Sequence, residues 1–134
     1  MTFEAQWCVQ NRVVFIRYHD EITLDDYRGV AETMLEAFEE SASPLVHNIV
    51  DYTYMTAMPG TIAQGAKALS HIGHPKYGWS VVVHADNPVV NMRTSIMVQA
   101  KGNRFRSVKT VQDAVNFLIS VDAALDDVEW TIPD

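Results

Sequence analysis

Two strand-like runs near the start of the chain are separated by only three residues, and this spacing constrains the fold more than any other feature. Residues 3–9 alternate, with Phe3, Ala5, Trp7 and Val9 on one side and Glu4, Gln6 and Cys8 on the other. That is the period of a half-buried strand. Val13, Val14, Phe15, Ile16 and Tyr18 form a second run, apolar almost throughout. Gln10, Asn11 and Arg12 lie between, and asparagine tolerates the left-handed backbone that a tight turn requires. Strands joined this closely must pair as an antiparallel hairpin.

After the hairpin the period changes. Leu24, Tyr27, Ala31, Met34, Leu35 and Phe38 recur at steps of three and four, predicting a helix over 24–41. Thr23 is its expected cap, with Asp25 and Asp26 in the electropositive first turn. Residues 45–50 read as a third strand ending at Asp51, and 52–60 as a loop. Ile62, Ala66, Leu69 and Ile72 form a second helical stripe between a cap at Thr61 and a stop at Gly73. Residues 79–85 hold the run Val81, Val82, Val83, which suits a strand buried on both faces. Asp86, Asn87 and Pro88 open a third helix, with Asp86 as expected cap, carrying Val89, Met92, Ile96, Met97 and Ala100 toward a stop at Gly102. A short strand at 104–108 follows, then Thr110 and Asp113 as a capping box before Val111, Ala114, Val115, Leu118, Val121 and Leu125. The order ββαβαβαβα predicts one α/β domain over 1–134, with a mixed sheet of about five strands, about four helices and right-handed crossovers. Residues 126–134 read as an exposed acidic tail in which Trp130 alone is able to dock.

Composition excludes several classes. With 48% hydrophobic and 20% charged residues the chain is globular rather than disordered. The lone Cys8 rules out an internal disulfide and, with no His or helix start beside it, reads as an inert thiol. No apolar run approaches the roughly 20 residues that span a bilayer, so no transmembrane segment is expected. The opening MTFEAQW lacks a basic region and a long apolar core, so no signal peptide is expected, and the expected compartment is the cytoplasm. A net charge of −7 argues against a nucleic-acid partner. That charge is unevenly spread. Residues 1–51 carry net −7, residues 52–109 carry net +6 with Asp86 their single acid, and residues 110–134 carry net −6. A basic middle either pairs with the acidic flanks or, around 101–109, meets an anionic ligand or acidic partner.

The hairpin, the helix opening Ile22-Thr23-Leu24-Asp25-Asp26, the strand ending in Asp51 and the segment Phe105-x4-Thr110-Val111-x-Asp113-Ala114-x2-Phe117-Leu118 resemble the SpoIIAA-like branch of STAS domains. The resemblance covers nearly the whole chain in element order and rests mainly on periodicity with a few polar anchors. It implies a non-enzymatic regulatory or protein-interaction domain of the anti-sigma-factor-antagonist type, with a protein partner or self-association and no cofactor. Such switches are turned off by phosphorylation of a Ser or Thr at a helix start. The family's Asp-Ser-Ser-Gly pattern falls here near Met58-Pro59-Gly60-Thr61, which has neither the Asp nor the Ser. Thr61 and the nearby Thr56 are the candidate phosphoacceptors, and a plain helix cap is the competing role for Thr61.

Polar groups collect at the expected strand ends: His19 and Asp20, then Asp51, Tyr52 and Tyr54, then His84 and Asp86. Ligands of open α/β sheets bind at that edge. Asp51 and His84 there suggest acid–base chemistry or a small-molecule pocket that also uses Tyr52 and Arg93. Tyr52, Tyr54, Met55 and Met58 are candidates for the rim of such a pocket or of a partner surface. No complete catalytic set is present: Gly-x-Ser-x-Gly and a phosphate loop are both missing. His71 and His74 have ligand-like spacing, but Gly73 between them breaks the helix, so no metal site is expected and both read as surface histidines.

Overall fold

The computed structural model describes residues 2–99 and 104–133. β1 (Phe3–Val9) and β2 (Val13–Glu21) form the expected hairpin. Asn11 closes it at φ 65°, and the Arg12 N–H donates to the Val9 carbonyl at 3.0 Å. Then follow α1 (Leu24–Glu40), β3 (Val46–Ala57), α2 (Ile62–Ala68), β4 (Tyr77–Val83), α3 (Pro88–Gln99), β5 (Phe105–Val108) and α4 (Val111–Val121), with a 3-10 turn at Ala123–Leu125. The sheet runs β1-β2-β3-β4-β5, antiparallel between β1 and β2 and parallel elsewhere. Each parallel crossover steps the same way along the sheet. With one handedness this puts all three connecting helices on one face. α4 follows the last strand and packs on the other.

Two core clusters result. Val14, Ile16, Tyr18, Val50, Tyr52 and Val82 meet Tyr27, Met34 and Phe38 of α1, together with Val90 and Met97 of α3. On the opposite face Val13, Phe15, Ile49, Val81 and Val83 meet Ala114, Val115 and Leu118 of α4. Capping explains where the helices begin. Thr23 with Asp26, and Thr61 with Gln64, make full capping boxes, while the Thr110 hydroxyl accepts from the Asp113 N–H at 3.1 Å.

Several boundaries differ from the sequence expectations. β3 continues through residues expected to be a loop. Its pairing with β2 goes on past Asp51 through a bulge, Arg17 facing Asp51 and His19 facing Tyr54, so two residues of β2 oppose three of β3. α2 ends at Ala68, and Leu69 and Ile72 are buried in the turns that follow. β4 begins at Tyr77 rather than Trp79. The cap of α3 is Asn87, whose Oδ1 accepts from the N–H groups of Val89 and Val90 at 3.0 and 3.3 Å, and not Asp86. Leu35 and Val121 are exposed. His71 is buried edge-on to Tyr77, and His74 stacks on Phe38 at 4.5 Å, so neither is a surface histidine. Cys8 is buried too, because the C-terminal segment folds over it. Val128, Trp130 and Ile132 alternate onto the α4-side core, and the Thr131 N–H donates to the Cys8 carbonyl at 2.8 Å. Ala100, Lys101 and Gly102 lie outside the described residues.

Candidate functional site

At the C-terminal ends of the parallel strands the bulge divides the predicted residues between the two faces of the sheet. Tyr52 and Met55 are buried on the helix-layer side. Met58 packs against them, and its sulfur accepts from the Thr94 hydroxyl at 3.7 Å. Arg93 of α3 donates to the Gly60 carbonyl, just before Thr61 caps α2. Tyr52, Met55, Met58, Thr61 and Arg93 are thus brought together as a joint between β3, α2 and α3, with Tyr52 and Met55 buried, Met58 and Arg93 half-buried and Thr61 exposed. Thr56 is exposed.

Asp51 and Tyr54 face the other way. The Asp51 carboxylate accepts from Arg17 Nε at 2.9 Å and from the Thr53 N–H at 2.9 Å. The Arg17 and Asp51 side chains are 8% and 3% exposed, so this ion pair is buried within the sheet face. Arg17 also lies over the rings of Phe15 and Tyr54, at 5.0 and 5.5 Å from their centroids. Tyr54 stacks on His19 at the surface. His84 follows Val83, the register partner of Asp51, one residue beyond the end of β4. The Asp51 carboxylate is taken up by Arg17 and the Thr53 N–H rather than by His84. Asp51 is a structural anchor at this edge.

Three of the middle segment's cations, Arg93 among them, reach carbonyl oxygens. Lys76 Nζ bonds the Phe38 and Ser41 carbonyl oxygens, and Arg104 the Tyr77 carbonyl at 3.3 Å. Arg106 lies over the Phe117 ring at 5.2 Å. Among the described residues, no group of three His, Cys, Asp or Glu side chains is placed to hold a metal ion.

A His–Asp pair that sequence reasoning missed sits at the opposite edge. His47 Nε2 is 2.8 Å from Asp122 Oδ2, and its Nδ1 accepts from the Trp79 N–H at 2.9 Å. Accepting at Nδ1 requires the neutral Nε2–H tautomer. Both ring nitrogens are engaged, so the pair ties β3, β4 and the end of α4 together and leaves no free base. Burial holds the His47 pKa below its ordinary value, with the Asp122 hydrogen bond opposing, and bonds from His47 and the Ala124 N–H hold Asp122 below the usual carboxylate range against its own desolvation. A lowered folded-state pKa means the unfolded chain takes up protons first on acidification. Stability is then full above about pH 6.5, the ordinary histidine value, and falls as pH drops through the His47 folded value, with a second loss below about pH 4 from Asp122. Melting temperatures from pH 8 to 4 will show the first step in the wild type and a flattened one in His47→Gln. An equal slope in both would remove His47 as its source.

α3 carries the feature that the sequence concealed. Val90, Thr94 and Met97 face the core, while Val89, Met92 and Ile96 stand 59%, 57% and 49% exposed. Apolar residues occupy both sides of the helix, so one periodic stripe does not identify the buried face. α3 contains no carboxylate, and Arg93 is its one charged residue.

No family model matches the sequence, and a search of curated proteins gives no match. Solved structures do resemble it. An uncharacterized protein of the DUF3478 family from Shewanella loihica PV-4, described as having a SpoIIAA-like fold, is 13% identical and matches with a TM-score of 0.62 over 87% of this chain and 91% of that one. The anti-sigma factor antagonist SpoIIAA in its unphosphorylated form is 13% identical, with a TM-score of 0.61 over 90% and 98%. The Bacillus cell fate determinant SpoIIAA in its phosphorylated form is 14% identical, with a TM-score of 0.53 over 87% and 98%. The hairpin-led five-stranded sheet, with three crossover helices on one face and α4 on the other, is a SpoIIAA-like fold.

Proposed function

We propose that this domain is a non-catalytic regulatory module that binds a protein partner, and that the outward face of α3 is its docking surface. The observation that carries this reading is the row Val89, Met92 and Ile96, exposed together on one helix, where α1 and α4 each expose a single large apolar residue, Leu35 and Val121. Contiguous exposed apolar side chains mark interaction sites more often than scattered ones. An α3 without carboxylates, whose one charged residue is Arg93, suits a partner whose apolar contact is rimmed by acids.

The chemistry elsewhere supports a non-catalytic role. His47 has both nitrogens engaged, Asp51 is held by Arg17, and burial pushes the Cys8 thiol up to about 12. One structural neighbour is an anti-sigma factor antagonist, by its name a protein acting on another protein. A small-molecule or enzyme site on Asp51 and His84 is the weaker alternative, since the Asp51 carboxylate is already engaged by Arg17 and the Thr53 N–H. Thr61 fits a helix cap: its hydroxyl accepts from the Gln64 N–H at 3.1 Å, and its own N–H donates to the Gln64 amide oxygen at 2.9 Å. No described helix is long and apolar enough to cross a membrane, and we place the module in the cytoplasm, where a lone buried thiol stays reduced.

The test is native mass spectrometry on protein isolated gently from its source cells, comparing the wild type with Met92→Glu. Because Met92 is exposed, the variant keeps its melting temperature. The wild type carries a partner protein that the variant loses at least about tenfold, since a charge facing an apolar contact costs more than 1.4 kcal/mol. An undiminished complex in the variant overturns the α3 surface.

A further inference from the structure

Beneath the α1–α2 layer the core is unusually polar. A narrow internal cavity lies against the sheet, with about 20 Å³ free, walled by Tyr18, Asn48, Tyr52, Tyr77, Ser80 and Leu69 among others. Asn48 and Ser80 are register partners on β3 and β4, each no more than 2% exposed. The Ser80 hydroxyl donates to Asn48 Oδ1 at 2.8 Å. The other amide atom, Nδ2, is buried and makes no hydrogen bond of good geometry among the described residues, with the Tyr77 hydroxyl as its near neighbour. Turning the amide over does not cure this. A hydroxyl can accept as well as donate, so the flip only exchanges which amide atom Ser80 bonds, and the other atom is still left with the poorly placed Tyr77 hydroxyl. An unmet buried polar group is costly, and nearly all such groups in native proteins have a partner.

The cavity offers what a partner needs. A water requires roughly 10–15 Å³ of free space and two to four polar contacts. The free space here admits one oxygen, and the hydroxyl-bearing side chains of Tyr18, Tyr52 and Tyr77 line the same space as the Asn48 amide. No Lys, Arg, Asp or Glu lines it, and its one imidazole, His71, is buried edge-on to Tyr77, so a charged guest would meet no fixed opposite charge. An apolar guest would leave the amide unmet. We propose that this cavity is a binding site for one oxygen of a small uncharged molecule, hydrogen-bonded to the Asn48 amide, and that at its present size the occupant is a single water. A small alcohol or carbonyl compound has the same chemistry and takes the water's place only by parting the layer above.

The test is a high-resolution crystal structure of the full chain together with a native mass spectrum of the same preparation. The expected result is an isolated sphere of density within about 2.7–3.2 Å of the Asn48 amide and no added small-molecule mass. Density extending beyond one atom, with a matching mass, also supports the site and identifies the second source. A dry cavity, or an Asn48 amide bonded to protein at both atoms, overturns the proposal. Oxygen-17 relaxation dispersion supplies an independent readout: Asn48→Leu loses one long-lived water relative to wild type, and an unchanged count overturns the assignment. Should that variant fail to fold, the wild-type density decides alone.

Discussion

Asp51→Ala is expected to lower folding stability by about 3–5 kcal/mol, the usual consequence of removing one partner from a buried ion pair. For a domain of this size that is a fall of roughly 10–20 °C in melting temperature. The Arg17 guanidinium stays in the sheet face without the carboxylate 2.9 Å from its Nε, and a second carboxylate, Glu4 at 3.8 Å, is more than half exposed. The Thr53 N–H loses its acceptor in the same step. The size of the loss follows from an uncompensated charge rather than from any strength of the pair itself. The double variant Arg17→Met/Asp51→Leu should therefore recover most of it, since apolar pairs of similar volume replace buried ion pairs at little cost. Urea denaturation of the three proteins measures this directly. A double variant as weak as Asp51→Ala would mean that the charges contribute net stability. A stable Asp51→Ala would mean that Asp51 is not a structural anchor, and would return it to the list of ligand candidates.

The second large effect comes from a hydrogen atom's worth of space. A Cβ placed on Gly78 would sit 2.4 Å from His47 Nδ1, 3.0 Å from His47 Cε1 and 3.1 Å from the Val46 carbonyl oxygen. The ring cannot retreat without giving up the Trp79 N–H on one side and Asp122 on the other. Gly78→Ala thus adds overpacking, typically about 1–3 kcal/mol, to the loss of buried hydrogen bonds. About 3 kcal/mol in all is expected, seen as a fall of about 10 °C in melting temperature. In a His47→Ala background the added methyl has room, and the same Gly78→Ala change should then cost under about 1 kcal/mol. Equal costs in both backgrounds would show that the strain lies at Val46 and not at the imidazole.

The architecture was legible because element order is written in the change of hydrophobic period. Alternation across residues 3–9, the run Val81 to Val83 and the stripes of α1 and α4 each state their own geometry. What escaped were features that depend on where a strand stops or which side of an element faces inward. Residues 52–57 contain no break that distinguishes a loop from a strand, and only pairing with β2 across a bulge decides the matter. The polar residues His47 and Asn48, inside an otherwise apolar run, were the available signal for buried partners. The partners themselves, Asp122 and Ser80, are 75 and 32 residues away and could not be named from spacing. α3 misled for a simple reason: with apolar residues on both sides, either face fits the core. Val90, Thr94 and Met97 win because they meet the sheet side, with Met97 lying against Gly65 of α2, where an added Cβ would come within 2.8 Å of its sulfur.

That same face of α3 is the feature on which the functional reading stands, and site-specific photo-crosslinking tests it most directly. A photoreactive residue is placed at Met92 and, as a control, at the exposed Asn116 on α4, and both proteins are irradiated in the source cells. Position 92 is expected to yield one adduct of defined mass that disappears when Ile96→Glu is added, while position 116 yields none. No adduct from position 92, or the same adducts from both positions, would contradict α3 as the docking surface.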